Sequence, residues 1–101
     1  MLNQVIIVGR VVEEPTIKEK EDEKKLCTIT LAVPRSYKNV NGEYDVDFIP
    51  CILWNAIAQN TVEYVRKGDV VAIKGRIQTN DNQINIIAEK VTFLASKPKE
   101  D

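Results

Sequence analysis

Phe48 and Trp54 are the side chains best placed to do chemistry in this sequence, and the chemistry is stacking. In Asp47-Phe48-Ile49-Pro50-Cys51-Ile52-Leu53-Trp54 the two rings share even parity. A strand sends alternate side chains to opposite faces, so both rings leave on one side. Ile49, Cys51 and Leu53 take the other side, a ready-made core face. Large aromatics turned away from a core need a partner. An unpaired nucleic-acid base offers a π face whatever its identity and stacks for about 1–3 kcal/mol per base. A single-stranded nucleic acid is therefore the first ligand to consider. The competing account is a second packing surface, either a subunit interface or a barrel interior in which Pro50 disturbs the parity.

Cations stand where such a ligand needs them. Lys74 and Arg76 share the outward face of one strand with Gln78, about 6.5 Å apart, close to the reach between neighbouring phosphates on a flexible strand. Catalysis, by contrast, lacks its parts. There is no His, which removes imidazole bases and the common zinc sets. Cys27 and Cys51 alone cannot close a structural zinc site, and both fall on core-facing sides, so they read as buried thiols rather than a disulfide. No Gly-x-x-x-x-Gly-Lys-Ser/Thr loop is present to cradle a nucleotide phosphate. Asp45 and Asp47, the close acids a metal-dependent nuclease would need, sit near a hairpin base and read as solvated turn charges. Neither an enzyme nor a metal or other cofactor is expected.

The net charge of −1 argues mildly against binding by bulk positive charge, but distribution matters more than the sum. Six of the fifteen acids lie between Glu13 and Glu23, in a run that also carries Lys18, Lys20, Lys24 and Lys25. That run reads as an exposed, internally compensated loop. With 44% hydrophobic and 29% charged residues in 101, the chain reads as one small globular domain. Its apolar runs, such as Val5 to Val8, are far too short to span a bilayer, so a cytoplasmic protein without a membrane partner is expected.

The elements that position these residues follow from periodicity. Asn3 to Val12 is a Val/Ile-rich strand ended by Glu13-Glu14-Pro15. Leu26 to Val33 alternates, with Cys27, Ile29, Leu31 and Val33 on one face. Asn41-Gly42 is a strong hairpin signal ahead of the strand that carries Phe48 and Trp54. Between Ala56 and Lys67 the period becomes about 3.6, with Ile57, Thr61, Tyr64 and Val65 on one stripe. Asn55 is placed to cap that helix and Gly68 to end it after Arg66 and Lys67. Val70 to Thr79 is a strand with Val71, Ile73 and Ile77 facing in, and Gln83 to Leu94 is the last. Five strands with one helix between strands three and four match the all-β Greek-key barrel called the OB-fold. It is assigned to residues 1–95, with a short charged C-terminal end at 96–101.

Several stretches then stand together in order: Met1-Leu2-Asn3-Gln4-Val5-Ile6-Ile7-Val8-Gly9-Arg10, Pro15, Thr30-Leu31-Ala32-Val33, Asp47-Phe48-Ile49 with Cys51 and Trp54, Lys67-Gly68-Asp69, and Lys74-Gly75-Arg76. With that spacing, from Met1 to about Leu94, the chain resembles the bacterial single-stranded-DNA-binding protein family. The resemblance implies sequence-independent binding and protection of single-stranded DNA in replication, recombination and repair, by a homotetramer (a dimer being the other form) associated with the nucleoid. It places stacking at Tyr37, Phe48 and Trp54, and phosphate contacts at Lys74, Arg76, Arg10, Arg35 and Lys38. The chain departs from the family at Thr79-Asn80-Asp81-Asn82-Gln83, which is shorter than the family's loop and lacks its ring, and with it the basis for a wrapped, long-footprint mode. It also ends at Lys97-Pro98-Lys99-Glu100-Asp101 without the family's acidic tail, through which replication and repair proteins dock, and so reads either as a naturally short form or as the core domain alone. The other reading is a protein-interaction module of the same fold, a primosome adaptor in replication restart. Retention of both Phe48 and Trp54 favours the binder.

Overall fold

Alternating apolar residues build the barrel strand by strand. A computed structural model describes residues 1–97; residues 98–101 of the charged C-terminal end lie outside the described residues. The elements are β1 (Val5–Val11), β2 (Lys18–Glu19), a 3-10 turn (Glu21–Glu23), β3 (Lys25–Lys38), β4 (Tyr44–Trp54), α1 (Asn55–Tyr64), β5 (Val70–Asn80) and β6 (Gln83–Ala95). The hydrogen-bonded order is β1-β5-β6-β4-β3-β2. Two contacts close this sheet on itself. β4 meets β6 in parallel at Cys51↔Ile86 and Ile52↔Ile87, and β1 leaves β5 to pair with β3 at Arg10↔Ala32 and Val11↔Leu31. The five long strands thus form a closed OB-type barrel, and β2 is a two-residue addition beside the start of β3. Gly9 permits the β1–β3 crossing, since a Cβ there would lie 2.9 Å from the Ala32 carbonyl oxygen.

Ile29, Leu31, Cys51, Leu53, Val71 and Ile73 are fully buried in the interior, with Val11 and Cys27 nearly so. Each buried aliphatic side chain contributes about 1.5–3 kcal/mol of transfer free energy. Ala58 and Thr61 of α1 and the following Val65 are buried with them and close one end of the barrel. Both cysteines are free, and burial pushes their thiols up, that of Cys51 to about 11.

Local expectations change in five places. Asn55 is not a cap. It is the first residue of α1, in the left-handed region at φ 54°, and its side-chain oxygen accepts the Lys25 N–H at 3.2 Å instead of a helix N–H. Gly68 does not end the helix, which stops at Tyr64; at φ 91° it shapes the next turn, donating its N–H to the Val11 carbonyl at 2.8 Å. Arg66 does cover the helix end, donating from Nη1 to the Val62 and Val65 carbonyls at 2.8 and 3.1 Å. Tyr64 lies outside the buried stripe, 69% exposed, and Ile77 is 44% exposed rather than internal. Ile77 sits at the rim of the barrel: its partner Ile86 still packs against the core, and from Ile77 to its end β5 is exposed. The strands also differ in extent: β1 is shorter than Asn3–Val12, β3 runs on to Lys38, and the loop of Glu13–Lys25 contains β2 and the 3-10 turn.

Candidate nucleic-acid interface

The pairing of β4 with β3 decides the parity question. Its register holds without a slip from Leu26↔Trp54 to Pro34↔Val46, so Pro50 does not disturb the alternation. Phe48 and Trp54 emerge on one outer face, 63% and 37% exposed, with Cys51 and Leu53 buried behind them. Pro50 and Ile52 lie between the rings on the same face, and the separation along the strand is about 20 Å. The neighbouring strand presents Ala32 opposite Phe48, Thr30 opposite Pro50 and Thr28 opposite Ile52. These side chains are small, so the Phe48 ring stands above a low floor, while Trp54 has Leu26 directly opposite it.

Two rows of the sheet tie cations to this floor. One runs Phe48–Ala32–Arg10–Val70 across β4, β3, β1 and β5, and Arg10 Nη1 donates to the Gly68 carbonyl oxygen at 2.6 Å. The other runs Thr28–Ile52–Ile87–Arg76 across β3, β4, β6 and β5. Arg76 is held there by Glu89 Oε2 at 3.4 Å and Gln78 Oε1 at 3.2 Å. Lys74 lies one step further along β5, between Ile6 and Lys90.

The remaining candidates stand on the hairpin that β3 and β4 extend beyond the barrel. Its tip is set by Asn39, whose side-chain oxygen accepts the N–H groups of Asn41 and Glu43, and by Gly42 at φ 77°. Tyr37 is 61% exposed on this arm, and Lys38 Nζ lies 5.9 Å from the centroid of the Tyr44 ring. Arg35 is committed elsewhere: Nε and Nη2 donate to the Asp47 carboxylate at 3.0–3.3 Å, and Asp45 lies at 3.7 Å. The hydrogen bond to Arg35, with its charge, holds the Asp47 carboxyl below the usual carboxylate range. Phe48 and Trp54 thus share the outer face of β4, Arg10 lies two strands away through β3, and Arg76 and Lys74 lie two strands away in the other direction through β6, while Tyr37, Arg35 and Lys38 form a separate group on the arm. Among the described residues no group of three His, Cys, Asp or Glu side chains is arranged to hold a metal ion.

Lys90 escapes a reading by parity. Ile84, Ile86 and Ala88 imply an inward even face, which would bury it; the register shift opposite Lys74/Gly75 leaves Glu89 unmatched, turns Lys90 outward and hands the inward face to Val91 and Phe93. The signal was present as a switch of apolar parity across the polar pair Glu89-Lys90.

Comparison with known proteins follows the same stretch. Residues 2–94 match the model of the single-strand binding protein family. The chain is 38% identical to Single-stranded DNA-binding protein B of Bacillus subtilis, over 99% of this chain and 96% of that one. It is 37% identical to Single-stranded DNA-binding protein 3 of Listeria innocua over 96% of its own length, but spans only 66% of that relative. To Single-stranded DNA-binding protein 1 of Clostridium acetobutylicum it is 34% identical, over 95% of this chain and 96% of the relative.

Proposed function

Because the chain belongs to the single-strand binding protein family, we propose that it binds single-stranded DNA without regard to base sequence, with Phe48 and Trp54 as the stacking platform. The family is one of binding proteins, and the chain is not an enzyme. The observation that carries the reading is the pair of exposed rings on one outer face of one strand. Arg10, Arg76 and Lys74 contact phosphates beside the platform, Lys38 and Arg35 do so from the arm, and Tyr37 stacks on a base there. Binding of this kind protects strands exposed in replication, recombination and repair, at the nucleoid in the cytoplasm. Self-association supports it. Along Val5–Gly9, β1 has no partner on the side away from β5 among the described residues, and Ile6 and Val8 are exposed beside that edge.

Trp54 is the sole tryptophan and reports directly on its own site. Titration with an oligothymidylate strand quenches its emission, while an equal amount of duplex leaves it nearly unchanged. Trp54→Ala, followed by a binding assay that does not rely on fluorescence, costs about 1–3 kcal/mol. Unaltered emission at saturating single strand sinks the platform, and the aromatic face then belongs to a protein partner.

A further inference from the structure

The line of outward side chains on β4 does not end at Phe48. Tyr44 and Val46 share its even parity, and both are exposed, Tyr44 by 54%. Two observations carry that parity out to Tyr44. The register shift beyond Pro34 lies on β3, since Pro34 to Lys38 spans four steps where their partners Val46 to Tyr44 span two. Asp45 and Asp47, of odd parity, both meet Arg35, at 3.7 and 3.0 Å, so the ion pairs occupy the opposite side of the ribbon. Tyr44, Val46, Phe48, Pro50, Ile52 and Trp54 therefore form one line of apolar and aromatic side chains, with a ring at each end and one between.

The surroundings of the Tyr44 ring suit a nucleotide. Lys38 is its cross-strand partner, with Nζ 5.9 Å from the ring centroid. That distance is at the outer limit of a cation–π contact, so the ammonium flanks the ring and leaves it open to a base. Lys38 forms no ion pair with an acid among the described residues, and its charge is free for a phosphate. An open ring beside a free cation supplies both contacts by which single strands are held without regard to sequence. Tyr37 belongs to β3, where alternation sends it to the side opposite Lys38, within electrostatic reach of Arg35. A strand that follows Trp54 and Phe48 along their own face thus meets Tyr44 first, about 13 Å beyond Phe48. Resting on the function proposed above, we infer that Tyr44, with Lys38 beside it, is a third stacking position for single-stranded DNA, so that the bound strand runs the length of β4 and out onto the arm.

The third position is tested with thymidylate strands of two lengths, about four nucleotides, which fill the span between Phe48 and Trp54, and about sixteen, which reach the arm. A chain carrying Tyr44→Trp together with Trp54→Phe emits from the arm alone, and saturation with the sixteen-nucleotide strand quenches that emission. With Trp54 in place as the reporter, Tyr44→Leu weakens the sixteen-nucleotide strand about tenfold, while the four-nucleotide strand keeps its affinity. Tyr44→Phe, which retains the ring and loses the hydroxyl, binds the longer strand as the unmodified chain does. Lys38→Gln makes the salt slope of the longer strand shallower by about 0.7, one phosphate contact. Arm emission that stays constant at saturating long strand, while Trp54 of the unmodified chain is quenched, overturns the third position and leaves the proposed function standing. Equal weakening of both lengths by Tyr44→Leu overturns it as well, and so does a loss in Tyr44→Phe as large as in Tyr44→Leu. Failure of the unmodified protein to respond to either strand sinks the proposed function itself, and the third position with it.

Discussion

At Arg35 the guanidinium fork is already occupied. Asp47 receives its Nε and Nη2 donors and Asp45 adds a second carboxylate at 3.7 Å, so the donors that would clasp a phosphate point at protein acids. The pair is solvent-exposed, which makes it a weak contributor to stability but an effective competitor for the same fork. Asp47 also immediately precedes Phe48, so its charge stands at the edge of the proposed platform. Asp47→Asn is expected to release Arg35, tighten single-strand binding at low salt and steepen the salt slope by about 0.7. An unchanged slope removes Arg35 from the set of phosphate contacts. The pH dependence has a definite sign. Because Arg35 lowers the Asp47 pKa from 3.8, the stabilisation supplied by the pair is fully present above that value and is lost as pH falls through the lower, folded-state value. A carboxyl titration followed by NMR places the Asp47 midpoint below 3.8; a midpoint at or above it shows that the pair does not form in solution.

Among the elements, the β5–β6 pair concentrates the constraints. Gly75 faces the barrel interior at the register shift, and a methyl group there would fall inside contact distance of the Ile87 carbonyl oxygen. Backbone cannot rotate aside as a side chain does, so Gly75→Ala is expected to cost about 1–3 kcal/mol, read as a lower urea midpoint. An unchanged midpoint means that β6 yields at the bulge. The same irregularity explains what the sequence leaves hidden. Where an apolar face alternates without a break, as over Leu26–Val33 and Cys51–Leu53, period two gives strand, face and core directly, and the platform of Phe48 and Trp54 is legible for that reason. A bulge reverses the face of every residue after it, so strict parity misplaces Lys90 and obscures its pairing with Lys74. The arm of β3 from Pro34 to Lys38 is polar and packs against no core, so hydrophobic periodicity carries no record of it. At Asn55 a tertiary hydrogen bond to β3 overrides a local capping preference.

For the whole molecule, the open question of surface is the free edge of β1. Among the described residues Val5–Gly9 pairs with β5 on one side only, since its contact with β3 begins at Arg10. An unpaired, apolar edge recruits another strand, and the partner of matching shape for a strand edge is the same edge on a second copy. Two β1 strands run antiparallel across a twofold axis would join the sheets of two barrels and cover Ile6 and Val8 from both sides. A stable contact of this kind buries on the order of 800 Å² per partner, more than five residues of edge supply alone, so side chains beside the edge must take part. Light scattering at micromolar concentration is therefore expected to give a mass that is a multiple of 11.4 kDa. Val8→Lys places a charge where the two faces meet and should return the mass to one chain, while the quenching of Trp54 by a four-nucleotide strand persists. A monomeric unmodified protein removes the β1 interface. An oligomer that survives Val8→Lys assembles through another surface, and the exposed Ile77 and Ile84 of the β5–β6 arm are then the next apolar residues to substitute.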